Sequence, residues 1–233
     1  MSISQRFTVL LFKVITNLIC RMDGAELDRV PRQGPLIIVT NHINILDIPV
    51  IYAGLQPRRL HGLVAAERWK NPIFGYFLDA CGTIPLRRGE PDLAALRRAM
   101  GYLDEGHQVI IMPEGTRSGD GRLQVGLPGV VLLAQYNRIP IQPVVFFGAE
   151  RYKENLARLK RTDFHIRVGK RFCLESQEGK ITRQERQQAA DEIMYQLAAL
   201  LPEKYRGVYA DLSAATQHFI TWLPDRTAAM QSP

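Results

Sequence analysis

The sequence predicts an α/β fold: a largely parallel central sheet flanked by helices, preceded by an N-terminal helical segment. Three observations predict it. From residue 35 onward, short β-branched runs alternate with stretches of helical period. Two of those runs, Leu36–Thr40 (LIIVT) and residues 109–112 (VIIM), are apolar almost throughout, as strands covered on both faces are. The three richest polar clusters each come directly after a strand, where open α/β sheets bind ligands.

Each element has its local reason. Residues 7–20 (FTVLLFKVITNLIC) are apolar but fall short of the roughly 20 residues that a spanning helix needs, and Lys13 and Asn17 interrupt them. Arg21-Met22-Asp23 is no small-residue cleavage site, which argues against a signal peptide. Two readings remain, a helix packed in the core and a helix lying in the membrane interface. Leu36–Thr40 is the first buried strand. Residues 48–55 form a short helix with Pro49 in its first turn, where proline is tolerated. Residues 61–65 are a weak strand, 71–80 a helix ending at Gly82, and 83–86 a short strand. Residues 91–105 form an amphipathic helix with Leu93, Leu96, Met100 and Leu103 on one face, stopped by Gly106. A strand at 109–112 leads into a glycine-rich loop at 113–127 and a helix at 128–136. Strands follow at Ile141–Phe147 and 164–168. Thr182-x-x-Glu185 is a capping box that opens a long helix to about Leu201.

A chain of 233 residues suits one domain with a large core. The net charge of +7 favours polyanions, either nucleic acid or the anionic face of a membrane. No run of five Lys or Arg occurs, and no aromatic-plus-basic strand suggests an RNA-binding sheet, so no nucleic-acid partner is expected. Cys20, Cys81 and Cys173 form no C-x-x-C pair, so buried free thiols are expected and neither a zinc knuckle nor a redox pair. No serine sits in a G-x-S-x-G elbow. His61, His107, His165 and His218 stand alone in the sequence, without an orienting partner, and read as structural or surface residues.

The first polar cluster is Asn41-His42-Ile43-Asn44-Ile45-Leu46-Asp47. Five residues turn about 500° on a helix, so His42 and Asp47 share no helix face. They meet only if His42 lies in the loop and Asp47 in the first helical turn. A carboxylate on Nδ1 would fix the tautomer and leave Nε2 to accept a proton. A capping Asp47 beside an ordinary loop histidine satisfies the same spacing. One His and one Asp are too few ligands for a metal site. The second cluster, Pro113-Glu114-Gly115-Thr116-Arg117-Ser118, opens a loop that also holds Gly119, Gly121 and Gly126. Such glycines let backbone N–H groups turn toward an anion, and Arg117 adds a bidentate fork. A solvated glycine-rich turn is the plainer reading. The third cluster, Gly82-Thr83-Ile84-Pro85-Leu86-Arg87-Arg88, ends a strand in two arginines.

Together these clusters resemble the 1-acyl-glycerol-3-phosphate acyltransferases and their relatives in the glycerolipid acyltransferase superfamily. That family carries N-H-x-x-x-x-D, then G-x-x-x-x-x-R, then F-P-E-G-T-R-S, then a strand flanked by prolines. Here the blocks stand at residues 41–47, 82–88, 112–118 and 139–143, in the same order, and the resemblance covers roughly residues 15–170. It implies that His42 is the general base on an acceptor hydroxyl and that Asp47 orients it. It implies an acceptor site drawn from Asn41, Arg87, Arg88, Glu114, Gly115, Thr116 and Arg117, with Arg88 on the phosphate and Pro143 shaping the acyl-side wall. The implied donor is an acyl thioester on coenzyme A or acyl carrier protein. No metal and no organic cofactor are implied.

The expected activity is O-acyl transfer to a lysophospholipid, foremost 1-acyl-glycerol-3-phosphate, giving phosphatidic acid for phospholipid biosynthesis. The expected place is the cytoplasmic face of the cell membrane, with membrane lipids as partners. The resemblance also tips residues 7–20 toward the interfacial reading. The chain then divides into a membrane-associated helical segment (1–25), an acyltransferase domain (26–205) and a C-terminal extension with no assigned role (206–233). Two positions depart from the family pattern: Met112 replaces the usual phenylalanine, and Leu127 stands where many relatives carry lysine. The second departure keeps another lyso-lipid acceptor open. A non-catalytic lipid-binding protein of the same fold is the alternative outside enzymes.

Overall fold

The computed structural model of the chain describes residues 1–87, 89, 92–175 and 181–224. It opens with helix α1 (Ile3–Ile19), started by a capping box in which Ser2 and Gln5 each accept the other's backbone N–H. Strand β1 (Cys20–Asp23) follows without a loop, and then β2 (Leu36–Thr40), buried at every residue. Helix α2 (Asp47–Gly54), β3 (Leu60–Ala65), α3 (Pro72–Ala80), β4 (Ile84–Leu86) and α4 (Leu93–Asp104) continue the alternation. Asn71 caps α3, with Pro72 at its first position; Asp92 caps α4. Strand β5 (Gln108–Ile111), α5 (Gly129–Ala134), β6 (Ile141–Phe147) and α6 (Tyr152–Ala157) lead to β7 (Thr162–Val168) and β8 (Phe172–Leu174). Helix α7 (Arg183–Leu200) starts at the Thr182–Glu185 capping box, and β9 (Ile220–Trp222) follows it.

The sheet runs β1-β7-β6-β2-β5-β3-β4, with β8 beside β6 and β9 beside β8. Strands β2 to β6 are mutually parallel, so their carboxyl ends share one rim. The expectation of a largely parallel sheet holds for this half. Strands β7 and β8 reverse against β6. The sequence of β7 carries the reason: its residues alternate between buried and more exposed, the pattern of a strand with one open face.

Alternate residues of β2 face opposite cores. Ile37 and Val39 pack with α4, α5 and α7 on one side. Leu36 and Ile38 pack with Val9 of α1 and with Val50, Ile51 and Tyr52 of α2 on the other. The sheet is therefore covered on both faces, as expected.

Two of the expected domain boundaries move. Strand β1 lies inside the segment assigned to residues 1–25, yet it pairs along its whole length with β7. The extension from 206 is also part of the domain. Strand β9 pairs with β8, Phe219 is 3% exposed, and buried Glu192 of α7 accepts the backbone N–H of His218 and Phe219. Residues 225–233 lie outside the described residues. All three cysteines are free and buried.

Arg58 secures the end of α2. It is 7% exposed and donates to the carbonyl oxygens of Pro31 (2.9 Å), Leu55 (3.0 Å), Val30 (2.6 Å) and Leu27 (3.4 Å). Burial lowers its pKa, yet the guanidinium remains charged because four carbonyl dipoles converge on it. Arg58→Met keeps the aliphatic volume and strands those carbonyls. It should lower unfolding stability by about 2–4 kcal/mol in a denaturant melt. A change within about 0.5 kcal/mol would show that water or neighbouring groups replace the arginine.

Candidate active site

The loop leaving β2 carries His42, and Asp47 is the first residue of α2. This strand–loop–helix bend brings the two together. His42 Nδ1 and Asp47 Oδ2 are 2.8 Å apart, and the Asp47 side chain is fully buried. The same oxygen accepts the backbone N–H of Ile43 (2.6 Å) and Asn44 (2.9 Å). The capping reading of Asp47 is corrected: Leu46 holds the cap position of α2 without a side-chain cap bond, and Asp47, the first helical residue, holds the loop that precedes it. With Nδ1–H donated to Asp47, Nε2 presents its lone pair, and Arg117 Nε lies 3.3 Å from it.

The loop after β5 locks onto the loop after β2. The N–H of Ser118 donates to His42 O (2.8 Å) and that of Gly119 to Ile43 O (3.1 Å). Glu114 is 4% exposed; its Oε1 accepts the His42 N–H and its Oε2 the Gln124 N–H, each at 2.9 Å. Burial pushes the Glu114 carboxyl up to about 7, opposed by those two N–H groups and aided by Asp47 and Asp120. Gly115 adopts φ +67°, and a Cβ there would stand 2.7 Å from Leu127 Cδ1. Gly115, Thr116 and Arg117 are exposed at the rim, beside the half-exposed Leu127.

Other expected site residues lie elsewhere. Asn41 is 1% exposed, and its amide bonds the O (2.9 Å) and N–H (2.8 Å) of Phe146 in β6. It fastens β2 to β6 from a buried position set back from the exposed rim, which speaks against its assignment to the acceptor site. Pro143 is buried in mid-strand, in register with Val39, and falls where the partner of β6 changes from β8 to β7. A proline is tolerated there because the strand ladder is interrupted. Arg87 is exposed just past β4, with its N–H held by Asp92. Arg88 lies outside the described residues.

Sequence reasoning missed Asn44, which donates to Ala149 O (2.8 Å) while accepting the N–H of Leu46 (2.9 Å). Asn41 and Asn44, three apart, thus clasp two points three apart, Phe146 within β6 and Ala149 just past its end. The repeated asparagine was the visible signal. Three of the histidines set aside as solitary have partners. His61 Nε2 is 3.0 Å from His107 Nδ1, and His165 Nδ1 is 3.3 Å from Asp23 Oδ2. Pairing across strands supplied partners that sequence spacing could not. Among the described residues, no three His, Cys, Asp or Glu side chains converge as metal ligands.

Comparison with known proteins follows the same lines. The chain is 30% identical over 131 residues to the chloroplastic 1-acyl-sn-glycerol-3-phosphate acyltransferase of Brassica napus, covering 55% of this chain and 38% of that protein. It is 27% identical over 150 residues to the 1-acyl-sn-glycerol-3-phosphate acyltransferase of Bacillus subtilis, covering 64% of this chain and 74% of that one. Its fold resembles the crystal structure of the 1-acyl-sn-glycerophosphate acyltransferase of Thermotoga maritima, with a TM-score of 0.62 and 19% identity over 84% of this chain and 78% of that chain. Residues 22–147, more than half of the chain and the stretch that holds all four blocks, match the Acyltransferase family, and the chain belongs to that family.

Proposed function

We propose that the protein transfers an acyl group from a thioester to the free hydroxyl of a lysophospholipid, foremost 1-acyl-glycerol-3-phosphate, to give phosphatidic acid. The observation that carries this reading is the 2.8 Å contact between His42 Nδ1 and Asp47 Oδ2, with Nε2 turned toward Arg117. His42 Nε2 takes the proton of the acceptor hydroxyl. The hydroxyl oxygen bonds to the thioester carbonyl carbon, the carbon–sulfur bond breaks, and the leaving thiolate receives the proton from the imidazolium. Buried Asp47 stabilises that imidazolium without taking its proton. Arg117, whose Nε lies 3.3 Å from His42 Nε2, grips the acceptor phosphate within reach of the base. The donor is acyl-coenzyme A or acyl carrier protein, and no further cofactor takes part.

One observation favours a second acceptor. Leu127 lies against Gly115 on the rim, where it adds apolar surface beside the anion-binding loop. A lysophospholipid with a less charged head group would tolerate that surface better. A panel of lysophospholipids with one acyl-coenzyme A donor decides between the two. The same panel decides against a non-catalytic lipid-binding role if any acceptor turns over.

The reaction takes place at a membrane surface. Helix α1 has 17 residues, and among the described residues no helix is long and apolar enough to cross a membrane. One side of α1 buries Val9 and packs Phe12 against Tyr52 and Phe77. The other side exposes Ile3, Phe7, Leu10, Val14 and Leu18, and α3, which packs on α1, exposes Ile73 and Phe74. Core packing accounts for one face only; an interfacial helix accounts for both. Arg6 and Lys13 flank the exposed face and suit anionic lipid head groups on the cytoplasmic side.

His42→Ala should lower kcat by at least about 10²–10³ while leaving the melting transition in place. Asp47→Asn should cost a similar factor by favouring the wrong tautomer. Near-normal turnover of purified His42→Ala would remove the mechanism. Arg117→Ala should raise the acceptor KM by about 10–100-fold, the worth of one charged hydrogen bond, with the donor KM little changed. A rise confined to the donor would place Arg117 on the wrong substrate.

For the membrane face, deleting residues 1–22 would also remove most of β1, so surface substitutions isolate the effect. Phe7→Ser, Leu10→Ser and Leu18→Ser combined should abolish most co-sedimentation with anionic vesicles. High salt should release only part of the wild-type protein, since screening leaves apolar contact intact. Equal binding by the triple variant and the wild type would move the anchor away from α1.

A further inference from the structure

We infer that Glu114 is a positioning residue for His42 and does not bind the acceptor. The inference rests on the proposed acyl transfer and assigns a role within that same site. Glu114 sits beneath the rim, and each of its carboxylate oxygens is already engaged. Oε1 holds the backbone N–H of His42 and Oε2 that of Gln124, so the side chain staples the loop after β2 to the far part of the loop after β5. Its neighbours in the second block, Gly115, Thr116 and Arg117, are the ones that reach solvent. Glu114 therefore divides the block by depth: a buried carboxylate that fixes the base, and an exposed turn that meets the substrate.

The choice of glutamate has a chemical reason. Two backbone N–H groups approach from opposite ends, and a carboxylate accepts at both. An amide accepts at one end only and turns its NH2 toward the other N–H. A protonated carboxyl likewise accepts poorly at the oxygen that bears the proton. The loop is otherwise held by Asn41, Asn44, Asp47 and the Ser118 N–H, so losing one staple loosens His42 without unfolding the site. The charged or titratable groups that face Glu114 are His42 on the β2 loop, Asp47 at the start of α2, and Asp120 on its own loop; the two aspartates oppose its ionisation. Its carboxyl titrates at about 7, so the staple weakens as pH falls through neutrality. Folding stability runs the other way. A carboxyl whose pKa is raised on folding contributes stability below its unfolded pKa and loses it as pH rises through about 7.

Glu114→Gln tests the role. It should lower kcat by about 10–100-fold, the cost of a misplaced base, with the acceptor KM little changed. The acid limb of the kcat profile should lose the ionisation near 7 that Glu114 contributes. A readout free of turnover needs no substitution. In an NMR pH titration of the wild-type chain, the backbone amides of His42 and Gln124 should move together with one midpoint near 7, and Glu114→Gln should abolish the shared step. A rise in acceptor KM with kcat and both amide titrations unchanged would overturn the inference. So would independent behaviour of the two amides in the wild type. Failure of the wild type to acylate any lysophospholipid would instead count against the proposed function, and the amide titration would still judge Glu114.

Discussion

Two buried carboxylates hold the backbone on which the site depends. The N–H groups of His42, Ile43 and Asn44 are consecutive donors in a tight bend, and no neighbouring strand is there to accept them. Glu114 takes the first, and Asp47 takes the other two. A buried donor left without a partner costs about 1–3 kcal/mol, so each of the two acids steadies the bend. The same Asp47 oxygen then aligns the His42 ring. The groups that make the loop foldable are the groups that make its histidine useful.

The sheet decides where this bend stands. Because β2 and β5 are parallel neighbours, their carboxyl ends deliver residues 41–47 and 112–118 to the same rim. Asn41 and Asn44 then fix that rim to β6, the strand on the other side of β2. Three loops are thereby tied together by hydrogen bonds that no single strand pair could supply. Preorganisation of this kind fixes the His42–Asp47 contact within the fold itself.

The apolar face of α1 is linked to the site through one helix. Phe12 of α1 packs edge-on against Tyr52 of α2, and α2 begins at Asp47. Arg161 from the loop before β7 donates to the carbonyl oxygens of Asn17 and Cys20, which closes the far end of α1 onto the sheet. Through its buried face, α1 is thus packed against the helix that begins at Asp47.

The sequence by itself determined the alternation of strands and helices, the helix cap at Thr182, and the spacing that lets a loop histidine meet a helix-start aspartate. These are local properties: hydrophobic period, turn residues and capping act over a few residues. It also marked the residues of the rim, because Gly115 to Arg117 are adjacent in the chain. Only the tertiary structure decided which acids and amides face inward. Glu114 and Arg117 differ by three positions, yet one is buried on a backbone N–H and the other is exposed at the rim, and nothing in their spacing separates them. The same holds for Asn41, whose partner is 105 residues away, for the His61–His107 pair across neighbouring strands, and for β8 and β9, too short to carry a period. Each depends on which strands become neighbours, and strand adjacency is a property of the whole sheet rather than of any segment within it.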